Sequence, residues 1–310
     1  MRIGLLVPDP PPGPDPRGDR NPVVAQAADD GLDSVWMSHV FGLDALTALA
    51  VAGRAVPRIE MGTGVVPIYP RHPAALAQQA LTTQAAVGGR LSLGIGLSHQ
   101  IVVESMYGYS FERPLRHMAE HLDVLLPLLD EGTVSFNGDT VQAHLGLQTP
   151  RPHRVPVLLA ALAPGMLRLA GARTDGTVLW MTGPATIAGS IAPTMGAAAE
   201  KAGRPEPRIV CALPTCVTDD PAAARQRASA AFAIYGQLPS YRAVLDKEGA
   251  TGPGDVAVVG DESAVREQIE ALAGVGVTDF VAAEYGAGDE QTRTRALLRS
   301  LTTKAVTSDV

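Results

Sequence analysis

The stretch of sequence that decides the fold is residues 90–122, RLSLGIGLSHQIVVESMYGYSFERPLRHMAEHL. A short apolar strand runs into Gly94, Gly96, Ser98 and His99, and a polar loop and an amphipathic helix follow. A buried strand that ends abruptly in small and polar residues is typical of a parallel α/β enzyme, which binds its ligand at the carboxyl ends of the strands. This stretch therefore predicts one strand, loop and helix of such a sheet.

Further apolar runs of the same kind alternate with Ala- and Leu-rich helical patterns along the rest of the chain. The eight predicted strands are residues 3–7, 34–37, 59–66, 91–95, 157–161, 177–181, 209–213 and 280–283. The predicted helices are residues 23–30, 44–56, 74–87, 116–129, 166–172, 187–202, 222–235 and 264–273. Such alternation predicts a parallel α/β sheet, and eight repeats favour a closed (β/α)8 TIM barrel over a doubly wound open sheet.

Two longer connections interrupt this rhythm. Residues 133–156 contain TVSFNGDTV, whose Asn-Gly pair signals a hairpin, so we expect a hairpin insertion after the fourth helix. Residues 238–258 indicate an extra helical insertion before the eighth strand, which could cover the barrel mouth. We expect residues 1–310 to form a single barrel domain, with a Pro- and Gly-rich loop after the first strand and a disordered polar tail from about residue 302.

Composition and charge argue against two classes of partner. The net charge of −7 and the absence of any Lys and Arg cluster predict no binding to nucleic acid. No apolar run reaches the ~18 residues of a membrane helix, and the amino terminus lacks a signal-peptide pattern, so we expect a cytoplasmic protein without membrane contact. Cys211 and Cys216 are expected to be buried and reduced, because five residues along one strand separate them too far for a disulfide.

Polar side chains follow the predicted strands at the end where barrel enzymes carry out their chemistry: His39, Arg71, His72, His99 and Glu104. His39 either takes part in the chemistry or bonds a neighbouring carbonyl. The small residues before His99 leave room for a planar ligand. His72 directly precedes a proline that suits the first turn of a helix, so a local structural role is predicted. These residues predict neither a metal site nor a nucleophile triad.

His117 and His121 are spaced i and i+4 in a predicted amphipathic helix. This spacing could serve a metal, but no acidic third ligand is placed near it. We therefore interpret the pair as part of a solvated helix face.

The glycines indicate where a ligand could approach the backbone. Gly62 and Gly64 interrupt the third strand, which predicts a bulge against which a flat ring could lie. The LGIG segment lacks the third glycine of a dinucleotide fingerprint, so a nicotinamide cofactor is not indicated. A phosphate could bind where ALAPGM opens a helix, and the TGP after strand six offers a second anion site with Thr182 as donor or cap.

Four stretches together resemble the luciferase-like monooxygenase superfamily, and more narrowly its branch of oxidoreductases that use the deazaflavin coenzyme F420. They are VWMSHVFG (35–42), MGTGVVPIYPRHPAALAQQA (61–80), the fourth-strand stretch LSLGIGLSHQIVVESMYGYSFERPLRHMAEHL and VLLAALAPGMLRLAGARTDGTVLWMTGP (157–184). The resemblance implies a TIM barrel, an F420 cofactor with FMN as the alternative, and a homodimer. It also implies a cis peptide in the third-strand bulge, at Gly64-Val65.

The resemblance also implies roles for individual residues. His39 and His99 would donate protons or orient the substrate, with Glu104 and Tyr107 in reserve. Where family members have an Asp-His pair after strand two, this chain has Ser38-His39, which suggests that the acid is lost. Where some sugar-phosphate dehydrogenases carry an acid after strand four, it has His99, which argues against that substrate class. The implied cofactor-binding residues are Ser38, His39, Gly64, Val65, Gly96, Ser98, Ala160, Ala161, Leu162, Ala163, Thr182 and Gly183.

The function that the resemblance implies is hydride transfer between F420 and an organic substrate. We expect the reduced cofactor to reduce an activated C=C, C=N or C=O group of a small-molecule or modified-peptide substrate. Two alternatives stay open: a monooxygenase that uses reduced FMN and oxygen, and a barrel that binds the cofactor without catalysis.

Overall fold

Eight parallel strands close into a barrel, which confirms the TIM-barrel prediction. The computed structural model describes residues 1–8 and 20–302. The strands are β1 Arg2–Val7, β2 Ser34–Met37, β3 Glu60–Thr63, β4 Val66–Pro67, β5 Leu91–Gly96, β6 Thr133–Asn137, β7 Gln142–Gly146, β8 Val157–Leu159, β9 Gly176–Trp180, β10 Arg208–Val217, β11 Val258–Gly260 and β12 Asp279–Glu284. The barrel runs β1, β2, β3 with β4, β5, β8, β9, β10 and β12, and it closes where β12 pairs with β1. Each predicted strand is present.

Helices cover the outside of the barrel. They are α1 Asn21–Asp29, α2 Ala45–Ala55, α3 Pro73–Ala86, α4 Pro114–Asp130, α5 Pro164–Arg173, α6 Pro184–Thr186, α7 Ala192–Lys201, α8 Pro221–Ala231, α9 Pro239–Lys247, α10 Glu262–Gly274 and α11 Asp289–Thr302. Asp44 caps α2 and Asp261 caps α10, each by accepting a hydrogen bond from a backbone N–H in the first turn. Sequence periodicity did not predict α11, because its buried face consists only of Thr294, Leu297 and Leu298.

The alternation of side chains along each strand separates two apolar cores. In β10, Ile209 and Cys211 face the helices, whereas Val210 and Ala212 face the barrel interior. The interior is filled by Trp36, Leu158, Val178, Val210, Ala212 and Val281. Both cysteines are free and buried, as predicted.

The predicted hairpin insertion is present. β6 and β7 pair antiparallel from Thr133 opposite Gly146 to Asn137 opposite Gln142. The buried carboxylate of Glu120 in α4 accepts hydrogen bonds from the backbone N–H and the hydroxyl of Thr140 at 2.6 and 2.7 Å. These bonds fasten the hairpin tip to α4.

The second insertion contains the expected helix, α9, and also β11, which the sequence did not predict. β11 pairs with the last residues of β10, beyond the part of that strand that closes the barrel. A three-residue strand carries too little periodicity to be recognised from sequence alone. The Pro-rich loop after β1 and the tail from residue 303 lie outside the described residues.

A charged cluster joins the amino ends of the barrel strands. Arg208 at the start of β10 donates to Asp279 at 2.7 Å and to Glu60 at 3.1 Å. Asp279 is only 1% exposed, and Arg2 lies 3.3 Å from it. This end of a barrel is where side chains serve stability, so the ligand site is expected at the other end.

Within residues 1–8 and 20–302, no helix is both long enough and apolar enough to cross a membrane. In the same part of the chain, no three His, Cys, Asp or Glu side chains are grouped so that they could hold a metal ion.

Candidate functional site at the barrel mouth

The third barrel strand is interrupted at the mouth, which we define as the face formed by the loops that follow the strands. β3 ends at Thr63, β4 begins at Val66, and the peptide bond between Gly64 and Val65 is cis, as the resemblance implies. The Thr63 hydroxyl donates to the carbonyl of Gly94 at 2.8 Å and accepts from its N–H at 2.9 Å. These bonds tie the bulge to β5.

The glycines around this bulge have different functions. A Cβ at Gly62 would lie 2.2 Å from the ring of Trp36, so Gly62 makes room for the barrel core. A Cβ at Gly96 would lie 2.7 Å from the side chain of Val65, so this glycine also serves packing. A Cβ at Gly64 would meet nothing closer than Val178, at 3.8 Å. A Cβ at Gly64 would thus be in ordinary van der Waals contact, so packing does not require this glycine, and a planar ring could approach its backbone.

His39 is held by polar contacts just after β2. Its Nδ1 accepts a hydrogen bond from the backbone N–H of Ala45 at 3.1 Å. Nε2 lies 3.2 Å from Nη2 of Arg71 and 3.9 Å from Oδ2 of Asp44. The contact with Ala45 gives His39 a structural function at the start of α2, and its Nε2 remains within reach of the mouth.

Ser38 stands where the resemblance implies an acid, and a different carboxylate, that of Asp44, lies near His39. This carboxylate accepts hydrogen bonds from Arg71 at 2.7 Å and from the N–H of Thr47 at 2.9 Å. Burial acts to raise the pKa of Asp44, but the bonds from Thr47 and the charges of His39 and Arg71 outweigh it and lower the pKa. An ionised carboxylate thus lies near His39, six residues from the position where the sequence suggested a loss.

His99 lies at the end of β5, after Ser98, whose backbone has φ +64°. Its ring is partly buried and lies 5.7 Å from the ring of Tyr241 in α9. Burial lowers the pKa of His99, so the imidazole is neutral at pH 7. Glu104 is exposed and accepts hydrogen bonds from Gln100 and from the N–H of Phe111 within its own loop.

The α9 insertion covers part of the mouth, as the sequence suggested. The ring of Tyr241 lies 5.0 Å from that of Tyr235, which in turn lies 5.7 Å from Trp180 at the end of β9. Sequence reasoning did not single out Tyr241, because nothing in its local pattern shows that α9 folds back toward His99. The structure thus brings His39, Gly64, His99 and Tyr241 to one face.

The two predicted anion sites differ. The α5 helix begins at Pro164, directly after the predicted loop 160–163, and its N-cap Ala163 supplies no side-chain cap, so the N–H groups that follow Pro164 in the first turn lack a side-chain acceptor. At the TGP site, the carboxylate of Glu248 accepts hydrogen bonds from the N–H groups of Ala185 and Thr186, and the Thr182 hydroxyl donates to the carbonyl of Trp180. A carboxylate of this chain therefore takes the second predicted anion site.

Exposed apolar side chains surround the mouth. Val40 and Phe41 follow β2, and Ile101 and Met106 follow β5. The ring of Phe41 contacts that of Tyr107 edge to face, with centroids 6.5 Å apart, so the two loops meet. Large apolar side chains grouped at a ligand site indicate an apolar body on the molecule that binds there.

The interpretation of His117 and His121 as a solvated face is wrong. His121 is fully buried in α4, and His117 is partly buried and stacks on the ring of Tyr69 at 4.5 Å. Burial lowers the pKa of His121 to about 3, helped by the nearby rings of His117 and His72. The amphipathic pattern predicted an exposed face, but α4 packs against both α3 and the hairpin insertion. These contacts bury more of its surface than is usual for a helix on the outside of a simple barrel. His72 caps α3 and accepts from the N–H of Ala74, as its predicted local role requires.

His121 also makes the fold sensitive to acid. Between pH 6.5 and about 3 the unfolded chain binds a proton at this ring and the folded chain does not, so stability falls as the pH falls. We expect His121→Leu to remove about 1.4 kcal/mol per pH unit from the slope of the unfolding free energy below pH 6.5. Urea unfolding at several pH values measures both slopes, and an unchanged slope in the variant would contradict the prediction.

The fold defines a class, the (β/α)8 barrels, and the third strand of this barrel is interrupted at its carboxyl face. The model of the luciferase-like monooxygenase family matches residues 1–292, and the chain belongs to that family.

Several named proteins are similar to this chain in sequence or in structure. The 5,10-methylenetetrahydromethanopterin reductase of Methanolobus tindarius is 30% identical over 258 residues, which cover 82% of this chain and 77% of that protein. A Mycobacterium tuberculosis protein provisionally named a coenzyme F420-dependent oxidoreductase is 33% identical over 182 residues, and this match spans about half of each protein, 53% and 51%. The solved structure of coenzyme F420-dependent tetrahydromethanopterin reductase from Methanopyrus kandleri superposes with a TM-score of 0.79 at 20% identity, over 96% of this chain and 97% of that one.

Proposed function

We propose that this protein is an oxidoreductase that transfers a hydride between coenzyme F420 and an organic substrate, in the direction of substrate reduction. The observation that carries the proposal is the bulge at Gly64-Val65, which leaves open backbone at the mouth between His39 and His99. Relatives named as F420-dependent enzymes support the choice of cofactor.

The residues at the mouth fit such a cofactor. A planar ring system needs a flat surface without a side chain, which Gly64 supplies. A phosphate needs free donors, which the uncapped start of α5 supplies after residues 160–163. We propose that Ser38, Val65, Gly96 and Ser98 complete the walls of this site.

When bound, the reduced deazaflavin supplies a hydride, and the protein must hold the electron-poor carbon of the substrate and deliver a proton. We assign proton transfer to His99, because its imidazole is partly buried at the mouth and its ring contacts only Tyr241 among the aromatic side chains described. His39, fixed by Ala45 and accompanied by Arg71, orients the acceptor oxygen or nitrogen.

The side chains around the mouth limit the charge and the polarity of the substrate. Glu248 places negative charge at the start of α6, which disfavours a phosphorylated substrate there. Phe41, Ile101 and Met106 favour a molecule with an apolar body. We therefore propose an uncharged organic acceptor with an activated C=C, C=N or C=O group.

The experiment that tests the proposal is a titration of the purified protein with F420 and with FMN, followed by anaerobic assay of a panel of acceptors. We expect F420 to bind more tightly, and its reduced form to be oxidised without oxygen when an acceptor is present. Tight FMN binding with strict dependence on oxygen would overturn the proposal. Binding of F420 without any acceptor-dependent spectral change would support a barrel that has lost catalysis.

A substitution at Gly64 tests the proposed ring surface. We expect Gly64→Leu to raise the Kd for F420 at least about tenfold, because the side chain fills the open space. Gly64→Ala should keep the wild-type melting temperature, since no atom lies closer than 3.8 Å to its added Cβ, and it shows whether a side chain is tolerated here. The matched control is Gly62→Ala, which places a methyl group against Trp36 and should cost about 1–3 kcal/mol of stability. Unchanged F420 affinity in Gly64→Leu would place the ring elsewhere.

A further inference from the structure

A cavity of about 450 Å³ lies at the rim of the mouth, where the loops after β4 and β5 lead into α3 and α4 and the tip of the β6–β7 hairpin covers them. The side chains that matter for its chemistry are Tyr69, Arg71, His72, Arg113, His117 and His121. None of them is a residue that we assign to the cofactor. Arg71 also lies beside His39, so the cavity adjoins the proposed active site without sharing the residues assigned to the cofactor.

Three of the side chains that line this cavity carry buried polar atoms without hydrogen-bond partners. The hydroxyl of Tyr69, Nε2 of His117 and both ring nitrogens of His121 are buried, and each lacks a hydrogen bond. Buried polar groups in folded proteins are nearly always bonded, so an unbonded group that lines a cavity points to a ligand. Because His121 is fully buried and lines the cavity, its ring offers one donor and one acceptor to an occupant.

The charges around the cavity favour an anion. Arg71 and Arg113 line it, and each also pairs with a carboxylate outside the lining, Asp44 and Asp139 respectively. Glu112 is the carboxylate that lines it. α3 and α4 both begin at the cavity, so the positive ends of two long helices face it, and Arg113 at the start of α4 makes no side-chain cap.

The three unbonded side chains are uncharged but keep donors. Burial lowers the pKa of His117 and His121 and raises that of Tyr69. Each therefore presents one N–H or O–H at neutral pH. A ligand that only accepts hydrogen bonds, as an oxyanion does, would satisfy these three donors together.

We infer that this cavity binds a small organic oxyanion, with its oxygens accepting from Tyr69, His117 and His121 and its charge lying beside Arg71 and Arg113. A carboxylate and a phosphate share this chemistry, so the test must separate them. A hydroxylated carboxylate such as malate would also use the acceptor nitrogen of His121.

The test is isothermal titration of the full chain with L-malate, with inorganic phosphate and, as an uncharged control, with glycerol. We expect one of the two anions to bind with a Kd of about 1 mM or below, and glycerol not to bind. A preference for malate or for phosphate identifies which source of the oxyanion the site takes. Absence of binding by both anions up to about 10 mM, or equal binding of glycerol, would overturn the inference.

Variants link the binding to this cavity. His121→Leu and Tyr69→Phe should each weaken anion binding at least about tenfold, whereas His144→Leu should not change it. His144 is a matched control, because it is an exposed histidine on β7 that does not line the cavity. Tyr69→Phe removes only a hydroxyl, so it remains informative if His121→Leu fails to fold. Wild-type affinity in Tyr69→Phe, or a loss in His144→Leu equal to that in the cavity variants, would contradict the assignment.

Discussion

Replacement of both His39 and His99 by asparagine is expected to lower turnover with reduced F420 by about 10²- to 10⁴-fold, the range that a positioned proton donor contributes. His39 follows β2 and His99 follows β5, the two strands that flank the interrupted third strand with Gly64. Asparagine keeps a polar group of similar reach but cannot transfer a proton near neutral pH. The affinity for F420 should change much less than turnover, because the proposed ring and phosphate contacts are made by backbone.

The single variants separate proton transfer, which we assign to His99, from substrate orientation, which we assign to His39. His99→Asn should account for most of the loss and should also change the pH profile of kcat/KM. Burial lowers the pKa of His99 below its ordinary value of 6.5, so the protonated fraction grows as the pH falls below neutrality. The wild-type rate of substrate reduction should therefore rise toward lower pH, and His99→Asn should lose this rise.

His39→Asn tests orientation, because Nδ1 of His39 also holds the start of α2 through Ala45. Both its melting temperature and its activity must be measured. If both equal those of the wild type, His39 has no function in the mechanism. Glu104→Gln is the matched control in the same loop as His99, and we expect it to retain activity because Glu104 is exposed. Turnover within threefold of the wild type in the double variant would show that neither histidine takes part in proton transfer.

Replacement of Arg208 by methionine is expected to lower the free energy of unfolding by about 3 kcal/mol, the lower end of the cost of leaving a buried charge without its partner. Asp279 is 1% exposed and accepts from Arg208 at 2.7 Å. Arg2 and the hydroxyl of Thr278 remain beside Asp279 in the variant, which keeps the cost from being larger. Arg208 also links β10 to Glu60 at the start of β3, so the substitution should destabilise the barrel as a whole.

Urea unfolding of the variant measures this cost. The matched control is Arg58→Met, because Arg58 and Asp29 form an ion pair in which both side chains are more than half exposed, 53% and 61%. Such exposed pairs contribute about 0–1 kcal/mol. If the two variants lost the same stability, the charged cluster at the amino ends of the strands would not be what stabilises the barrel.

Local patterns were sufficient to predict the barrel. Alternating strands and helices are visible in sequence because the periods of 2 and 3.6 residues depend only on neighbours along the chain. The hairpin after α4 was visible for the same reason, through Asn137-Gly138. The missed elements, β11 and α11, are either very short or nearly all polar, and their positions depend on what they pack against.

Contacts between distant residues decided the candidate site. The sequence showed Ser38 in place of the acid before His39, but it did not show that Asp44 lies 3.9 Å from His39, because the loop after β2 folds back to the start of α2. The sequence suggested a free anion site at TGP, but Glu248 reaches it from α9, more than sixty residues away. Neither contact leaves a periodic signal.

The sequence by itself determined the family, the barrel and the glycine-rich third strand, because each follows from patterns among residues that are close together along the chain. Only the tertiary structure decided which glycine has room for a side chain: a Cβ at Gly62 would clash with Trp36, whereas a Cβ at Gly64 would lie 3.8 Å from Val178. It also showed that His121 is buried, although its spacing is typical of an exposed helix face. The physical reason is the same in both cases: burial and open space depend on the side chains that other strands and helices bring close, and the local pattern does not contain that information.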